Sequence, residues 1–202
     1  VLNSFIELEV GAQHLQGSTG YGYGDIGRDM FDKVFAKSIG AEDALCRTQF
    51  MSGTHAITVM LFGVLRQNMT MLSITGTPYN TLRQSLGLGD AKRGGLHDYG
   101  IKYKQIELDF NGNIDIDEVI RNIDDVDMVY IQRSRGYSIR NAVSPEEIGR
   151  ISSNIKDINS SVIIAVDNCY GEFTSASEPT EFGADIMAGS FIKNPGGGIA
   201  ET

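Results

Sequence analysis

The sequence predicts an α/β fold of three layers, α/β/α, with a mostly parallel sheet at its centre. Three observations predict it. Short apolar, β-branched runs alternate with segments of helical periodicity along the whole chain. Several runs are apolar throughout rather than alternating, as strands buried on both faces read. The 24 glycines among 202 residues exceed the usual ~7% and cluster at the ends of apolar runs, which suits tight turns beside a ligand better than a flexible linker.

Residues 1–20 are mixed, with His14 in a polar, solvent-facing stretch. The glycine loop that follows contains a literal GxGxxG at Gly22, Gly24 and Gly27. A dinucleotide fingerprint needs a hydrophobic strand directly before its glycines, and Gln13 to Thr19 is too polar to be one. Asp25 to Ile39 reads as an amphipathic helix with Ile26, Phe31, Val34, Phe35 and Ile39 broadly on one side, ended by Gly40. A short strand is expected at Ala44 to Cys46.

Met51-Ser52-Gly53-Thr54-His55-Ala56 is a small-residue turn opening an apolar helix from Ile57 to Leu65. Such a turn gathers free N–H groups and the positive end of a helix dipole, which suits phosphate. Gly53 and Thr54 supply two N–H donors and the Thr54 hydroxyl a third; the plainer reading is a Ser/Thr helix cap. Thr70 to Thr75 is a strand, ending in Gly76-Thr77-Pro78-Tyr79. Residues 80–100 hold a short helix and a glycine-rich loop with His97, followed by a strand at Tyr103 to Leu108. Asn111-Gly112 is a turn, and Ile114 to Ile123 is helical. Met128 to Gln132 is a buried strand whose end carries Arg133 and Arg135, two candidates for an anion. Ser144-Pro145-Glu146-Glu147 is a capping box that opens a helix running to about Ile158.

The last elements carry the chemistry. Ser161 to Val166 is apolar and β-branched and ends abruptly in Asp167. A shorter apolar segment, Asp185 to Ile192, ends in Lys193, and Pro195 with Gly196 to Gly198 stops any regular continuation. Two strand ends thus present one acid and one amine. Pyridoxal phosphate needs such a pair: a lysine amine to form a Schiff base, and an acid to keep the pyridine nitrogen protonated. Ser190 is placed to donate to the cofactor phosphate. The bland alternative is a surface lysine and a capping aspartate. The flanking apolar runs weigh against it, because a buried strand rarely ends in charge without a partner.

Val166-Asp167-Asn168-Cys169-Tyr170-Gly171-Glu172-Phe173 and Gly189-Ser190-Phe191-Ile192-Lys193-Asn194-Pro195-Gly196-Gly197 resemble the cofactor motifs of fold-type I pyridoxal-phosphate enzymes. More narrowly, the chain is similar to the methionine gamma-lyase/cystathionine beta-lyase-like family of aluminium resistance proteins. The resemblance runs from about Gly17 to the last residue. It includes Gly20-Tyr21-Gly22-Tyr23, Gly40-Ala41-Glu42-Asp43-Ala44, Ser52-Gly53-Thr54-His55-Ala56, Gly76-Thr77-Pro78-Tyr79 and Gln132-Arg133-Ser134-Arg135-Gly136-Tyr137-Ser138.

The resemblance implies pyridoxal 5'-phosphate as a Schiff base on Lys193, with Tyr79 stacked on the ring. Arg133 or Arg135 would meet the substrate carboxylate or a cofactor oxygen. It also implies that Tyr21, Tyr23 and Arg28 reach a neighbouring subunit's cofactor phosphate, though the spacing departs from the lyases' Tyr-x-Arg. An Asn that touches the ring hydroxyl in the lyases has no counterpart after Gln132. The implied reaction is β- or γ-elimination of a thiol from an amino acid, with Lys193 moving the α-proton, in a homodimer or homotetramer. Relatives continue into a smaller C-terminal domain, so residues 1–202 are expected to be the large, cofactor-binding domain of a longer polypeptide. Three alternatives are an aminotransferase, a nicotinamide oxidoreductase using Gly22, Gly24 and Gly27, and a non-catalytic, cofactor-binding stress protein.

Composition bounds the partners. A net charge of −9 argues against a nucleic-acid footprint. Cys46 and Cys169 make no metal or redox spacing, which points to a reduced, cytoplasmic protein without a metal centre. No apolar stretch reaches the ~18 residues a membrane span needs, and no signal peptide is visible.

Overall fold

A computed structural model of the chain describes residues 1–19, 21, 23–89 and 93–197. The chain divides into two compact units, Val1–Gln49 and Phe50–Thr202.

The first unit is built from α1 (Leu2–Glu7), a 3-10 turn at Ala12–Leu15, and α2 (Ile26–Ser38). Asp25 caps α2 by accepting the N–H groups of Gly27 and Arg28 at 3.1 and 3.2 Å. Those are the donors a dinucleotide pyrophosphate would need, and a 3-10 turn rather than a strand precedes them. The nicotinamide alternative loses its structural basis there; Gly22 itself lies outside the described residues. The inner side of α2 is Asp32, Val34 and Ala36, whereas Ile26 and Phe31 are exposed, so the apolar stripe is narrower than the periodicity suggests. The expected strand at Ala44–Cys46 does not form. Its backbone is taken instead by a side chain: Asp32 accepts the Cys46 N–H at 2.7 Å and pairs with Arg47 at 2.8 Å. Burial and Asp32 push the Cys46 thiol up to about 12, which leaves it inert.

The second unit is the α/β layer structure. Its elements are α3 (Gly53–Val64), β1 (Thr70–Ser73), α4 (Asn80–Leu86), β2 (Lys102–Gln105), α5 (Ile116–Arg121), β3 (Met128–Gln132), α6 (Pro145–Ile158), β4 (Ile163–Asp167) and β5 (Ile186–Ala188). All strand pairs are parallel, in the order β2-β1-β3-β4-β5. Alternate residues of β3 serve opposite faces, as the period of two requires. Met128 and Tyr130 join Ile57, Leu61, Met71 and Ala165 under α3 and α4. Val129 and Ile131 join Val119, Ile123, Ile148, Ile155, Ile164 and Val166 under α5 and α6. Two apolar layers on one buried sheet are the three-layer architecture.

Helix starts follow local chemistry. Ser144 caps α6 by accepting the Glu147 N–H at 3.2 Å, with Pro145 in the first turn. Asp115 does the same for α5 through Glu118 at 2.9 Å. The five parallel strands put their carboxyl ends along one edge, where open α/β sheets bind ligands.

Candidate active site

Asp167 is the last residue of β4 and is 1% exposed. Its carboxylate is held by the Cys169 N–H, which reaches Oδ1 at 3.0 Å, by the Tyr130 hydroxyl, which reaches Oδ2 at 3.1 Å, and by the Cys169 thiol. Burial pushes the Asp167 carboxyl upward; these donors and the positive charge of Lys193 pull against it.

Lys193 arrives differently from the sequence expectation. β5 ends at Ala188, and Lys193 sits beyond it in a turn closed by its own N–H on the Ser190 carbonyl at 3.1 Å. The ladder ends at Ala188, before Gly189 and Ser190, so the lysine is presented by a turn rather than a strand end. Its amine lies 4.2 Å from the centre of the Tyr170 ring, a cation–π contact. Tyr170 has a positive φ of 68°, a strained conformation for a bulky residue that turns the chain back sharply just after β4.

Gly53, the first residue of α3, is the meeting point. A Cβ there would stand 2.7 Å from Cys169 Sγ, 3.3 Å from Ser190 Cβ and 3.4 Å from Lys193 Nζ. Helix start, lysine turn and β4 loop therefore converge on one spot that a larger residue would fill. Ser52 Oγ accepts the His55 N–H at 3.1 Å, leaving the N–H groups of Gly53 and Thr54 with no acceptor among the described residues. Thr54 Oγ1 lies 3.1 Å from the Tyr79 hydroxyl and 3.3 Å from Thr81 Oγ1. Tyr79 caps α4, is half-buried, and feels Asp167 strongly enough that burial and this charge push its phenol up.

The structure thus brings together Lys193, Asp167, Ser190, Gly53, Thr54 and Tyr79. The two arginines part company. Arg133 is 4% exposed and bonds inward, donating at 2.7 Å to Asn168 Oδ1, at 2.7 Å to the Gly171 carbonyl and at 3.2 Å to Glu178. In this structure its guanidinium is engaged by these internal partners, whereas Arg135, two residues on, is exposed. Tyr21 and Tyr23, at 86% and 94% exposure, and Arg28, paired with Asp25 at 3.6 Å, belong to the other unit.

Residues not singled out from the sequence also line the site. Cys169 contacts Lys193, and burial followed by Asp167 raises its thiol well out of the reactive range. Glu172 accepts the Ser190 N–H at 2.6 Å, while its other carboxylate oxygen is buried with no partner among the described residues. Burial pushes this carboxyl up as well. Tyr130 had a readable signal: it shares a sheet face with Asp167 in the adjoining strand. No group of His, Cys, Asp and Glu side chains able to hold a metal occurs among the described residues. Among those residues no helix is long and apolar enough to cross a membrane.

The family model for methionine gamma-lyase matches residues 1–202. The chain belongs to the methionine gamma-lyase family. Its relative YnbB of Bacillus subtilis, a protein of no described activity, is 47% identical over all of this chain and 48% of its own length. A crystal structure from Clostridium acetobutylicum, named as a candidate cystathionine beta-lyase involved in aluminum resistance, superposes with a TM-score of 0.95 at 47% identity, covering 100% of this chain and 49% of the other. The chain therefore spans about half the length of these family members. The pyridoxal-5'-phosphate-dependent protein YhfS of Escherichia coli matches with a TM-score of 0.67 at 19% identity over 92% of this chain and 47% of its own, which shows the shared fold alone.

Proposed function

We propose that this chain is the cofactor-binding part of a pyridoxal-phosphate-dependent carbon–sulfur lyase acting on a small amino acid. The observation that supports it most is the convergence of Lys193 Nζ, Cys169 and Ser190 on the bare Cα of Gly53, next to a buried carboxylate whose two oxygens are already oriented. The donor set fits the cofactor. An amine, helix-start N–H groups and a hydroxyl match an aldehyde and a phosphate; Asp167, deep at a strand end, matches a ring N–H.

When bound, pyridoxal phosphate supplies an aldehyde that captures amines and a protonated ring that withdraws electrons from the substrate α-carbon. The protein's own groups do the rest. Lys193 would be the amine that holds the aldehyde, and its Nζ, when free, would be the base for the substrate α-proton. The N–H groups of Gly53 and Thr54 and the hydroxyl of Ser190 would hold the phosphate. Tyr79 would pack on the ring face, and Asp167 would accept the ring N–H and so favour a cationic nitrogen. Arg135, the exposed one of the two arginines after β3, would take the substrate carboxylate. Tyr21, Tyr23 and Arg28, exposed as they are, serve a neighbouring copy's phosphate in a homo-oligomer.

Elimination from cystathionine or methionine, read as thiol and ammonia release without added keto acid, is the test. Lys193→Ala is expected to abolish it, since no other lysine lies in this turn. A requirement for keto acid, with no thiol released, would replace lyase by aminotransferase.

A further inference from the structure

Asp167 is gripped by donors of different origin. The Cys169 N–H at 3.0 Å is local, two residues along the same loop. The Tyr130 hydroxyl at 3.1 Å comes from the neighbouring strand. In the β3–β4 register Tyr130 pairs with Ala165 and Gln132 with Asp167, so Tyr130 sits diagonally behind the aspartate on the same sheet face. Its side chain is 0% exposed, within the apolar layer under α3 and α4.

Packing alone does not account for a tyrosine there. Phenylalanine fills the same volume, and a buried hydroxyl is costly unless it is bonded. The bond is aimed at the carboxylate that the cofactor reading makes essential. The other charged or titratable groups around Asp167 are Lys193 and Cys169 from the loops, Tyr79 at the start of α4, and Arg140 following β3. Arg140 is engaged elsewhere, donating to the Gln132 and Asn141 carbonyls at 2.8 and 2.9 Å.

We propose that Tyr130 is a positioning residue that keeps Asp167 ionised and oriented, and thereby decides whether the ring nitrogen of bound pyridoxal phosphate carries its proton. This rests on the cofactor reading above. A carboxylate so deeply buried is biased toward its neutral form. Each donor on its oxygens opposes that bias. With the Tyr130 hydroxyl gone, only the N–H and thiol of Cys169 remain as donors beside the charge of Lys193, and the balance of the proton between Asp167 and the ring nitrogen would shift toward the carboxylate. Nothing is oxidised or reduced; a single proton changes its resting place.

The experiment reads that proton directly. The purified protein is loaded with pyridoxal phosphate carrying 15N in its ring, and the nitrogen chemical shift is recorded. The parent protein gives a pyridinium signal, and Tyr130→Phe moves it toward neutral pyridine. Loss of one hydrogen bond to a charged group corresponds to a roughly ten- to hundredfold lower pyridinium-to-pyridine ratio. A bound label whose signal does not move overturns the role of Tyr130 while leaving the cofactor reading intact. Failure of the parent protein to take up the label overturns both. Should Tyr130→Phe not fold, p-aminophenylalanine at position 130 keeps the shape with a weaker donor. A smaller shift in the same direction is then expected, and an unmoved signal overturns the proposal.

Discussion

Gly53 shows how a single missing side chain makes room for chemistry. Gly53→Ala puts a methyl 2.7 Å from Cys169 Sγ and 3.4 Å from Lys193 Nζ. Overpacking of this kind costs about 1–3 kcal/mol. We expect a lower thermal midpoint and, more tellingly, weaker pyridoxal phosphate binding by absorbance titration; unchanged affinity would mean the space is not where the cofactor goes. The sequence made Asp167 and Lys193 legible because each is a charge after an apolar run. Cys169, Tyr170 and Glu172 were not legible, because they lie in a loop where no periodicity says which way a side chain faces. The internal partners of Arg133 were hidden for the complementary reason: Asn168 and Glu178 come from a segment folded back on it.

At the scale of elements, the segment from Asn168 to Glu178 carries Cys169, Tyr170 and Glu172 beside Lys193 and Ser190, and an internal ion pair fixes it. Arg133 at the end of β3 bonds to Asn168, Gly171 and Glu178, with the Arg133 and Glu178 side chains only 5% and 4% exposed. Gly171 is required for this closeness, since a Cβ would lie 2.6 Å from Arg133 Nη1. The grip holds Tyr170 and Phe173 in their positive-φ conformations, at 68° and 56°. Removing one partner of a buried pair strands the other, at a cost of about 3–5 kcal/mol. Glu178→Ala is therefore expected to lower the unfolding free energy from denaturant titration by that much; a change below about 1 kcal/mol would show the pair to be surface-like. Helix and strand existence was readable here from period and capping. Strand lengths were not: β5 ends before Gly189, and at Ala44–Cys46 the Asp32 carboxylate takes the place of a strand partner.

At the scale of the whole molecule, two buried carboxyls shape the response to pH. Asp167 and Glu172 both have their acidity weakened by burial. Between the ordinary carboxylate range and these raised values, the folded chain holds protons that the unfolded chain has released. Stability without cofactor therefore falls as pH rises through that window. Glu172→Gln keeps an acceptor for the Ser190 N–H but cannot ionise, so its thermal midpoint should depend less steeply on pH than the parent's. An equal slope would contradict the burial argument. A cofactor bound as proposed would add to stability: at a hundred times its dissociation constant, a ligand of the native state contributes about 2.7 kcal/mol. The parallel architecture itself was plain in the sequence, because fully apolar strand runs leave few other folds.

The central claim is that the Lys193 amine bonds the cofactor aldehyde. Borohydride treatment of the purified protein with pyridoxal phosphate, followed by peptide mass mapping, tests it most directly. The account predicts loss of the visible absorbance and one pyridoxyl group, located on Lys193. A pyridoxyl group on another lysine, or none on a protein that still turns over substrate, would contradict it.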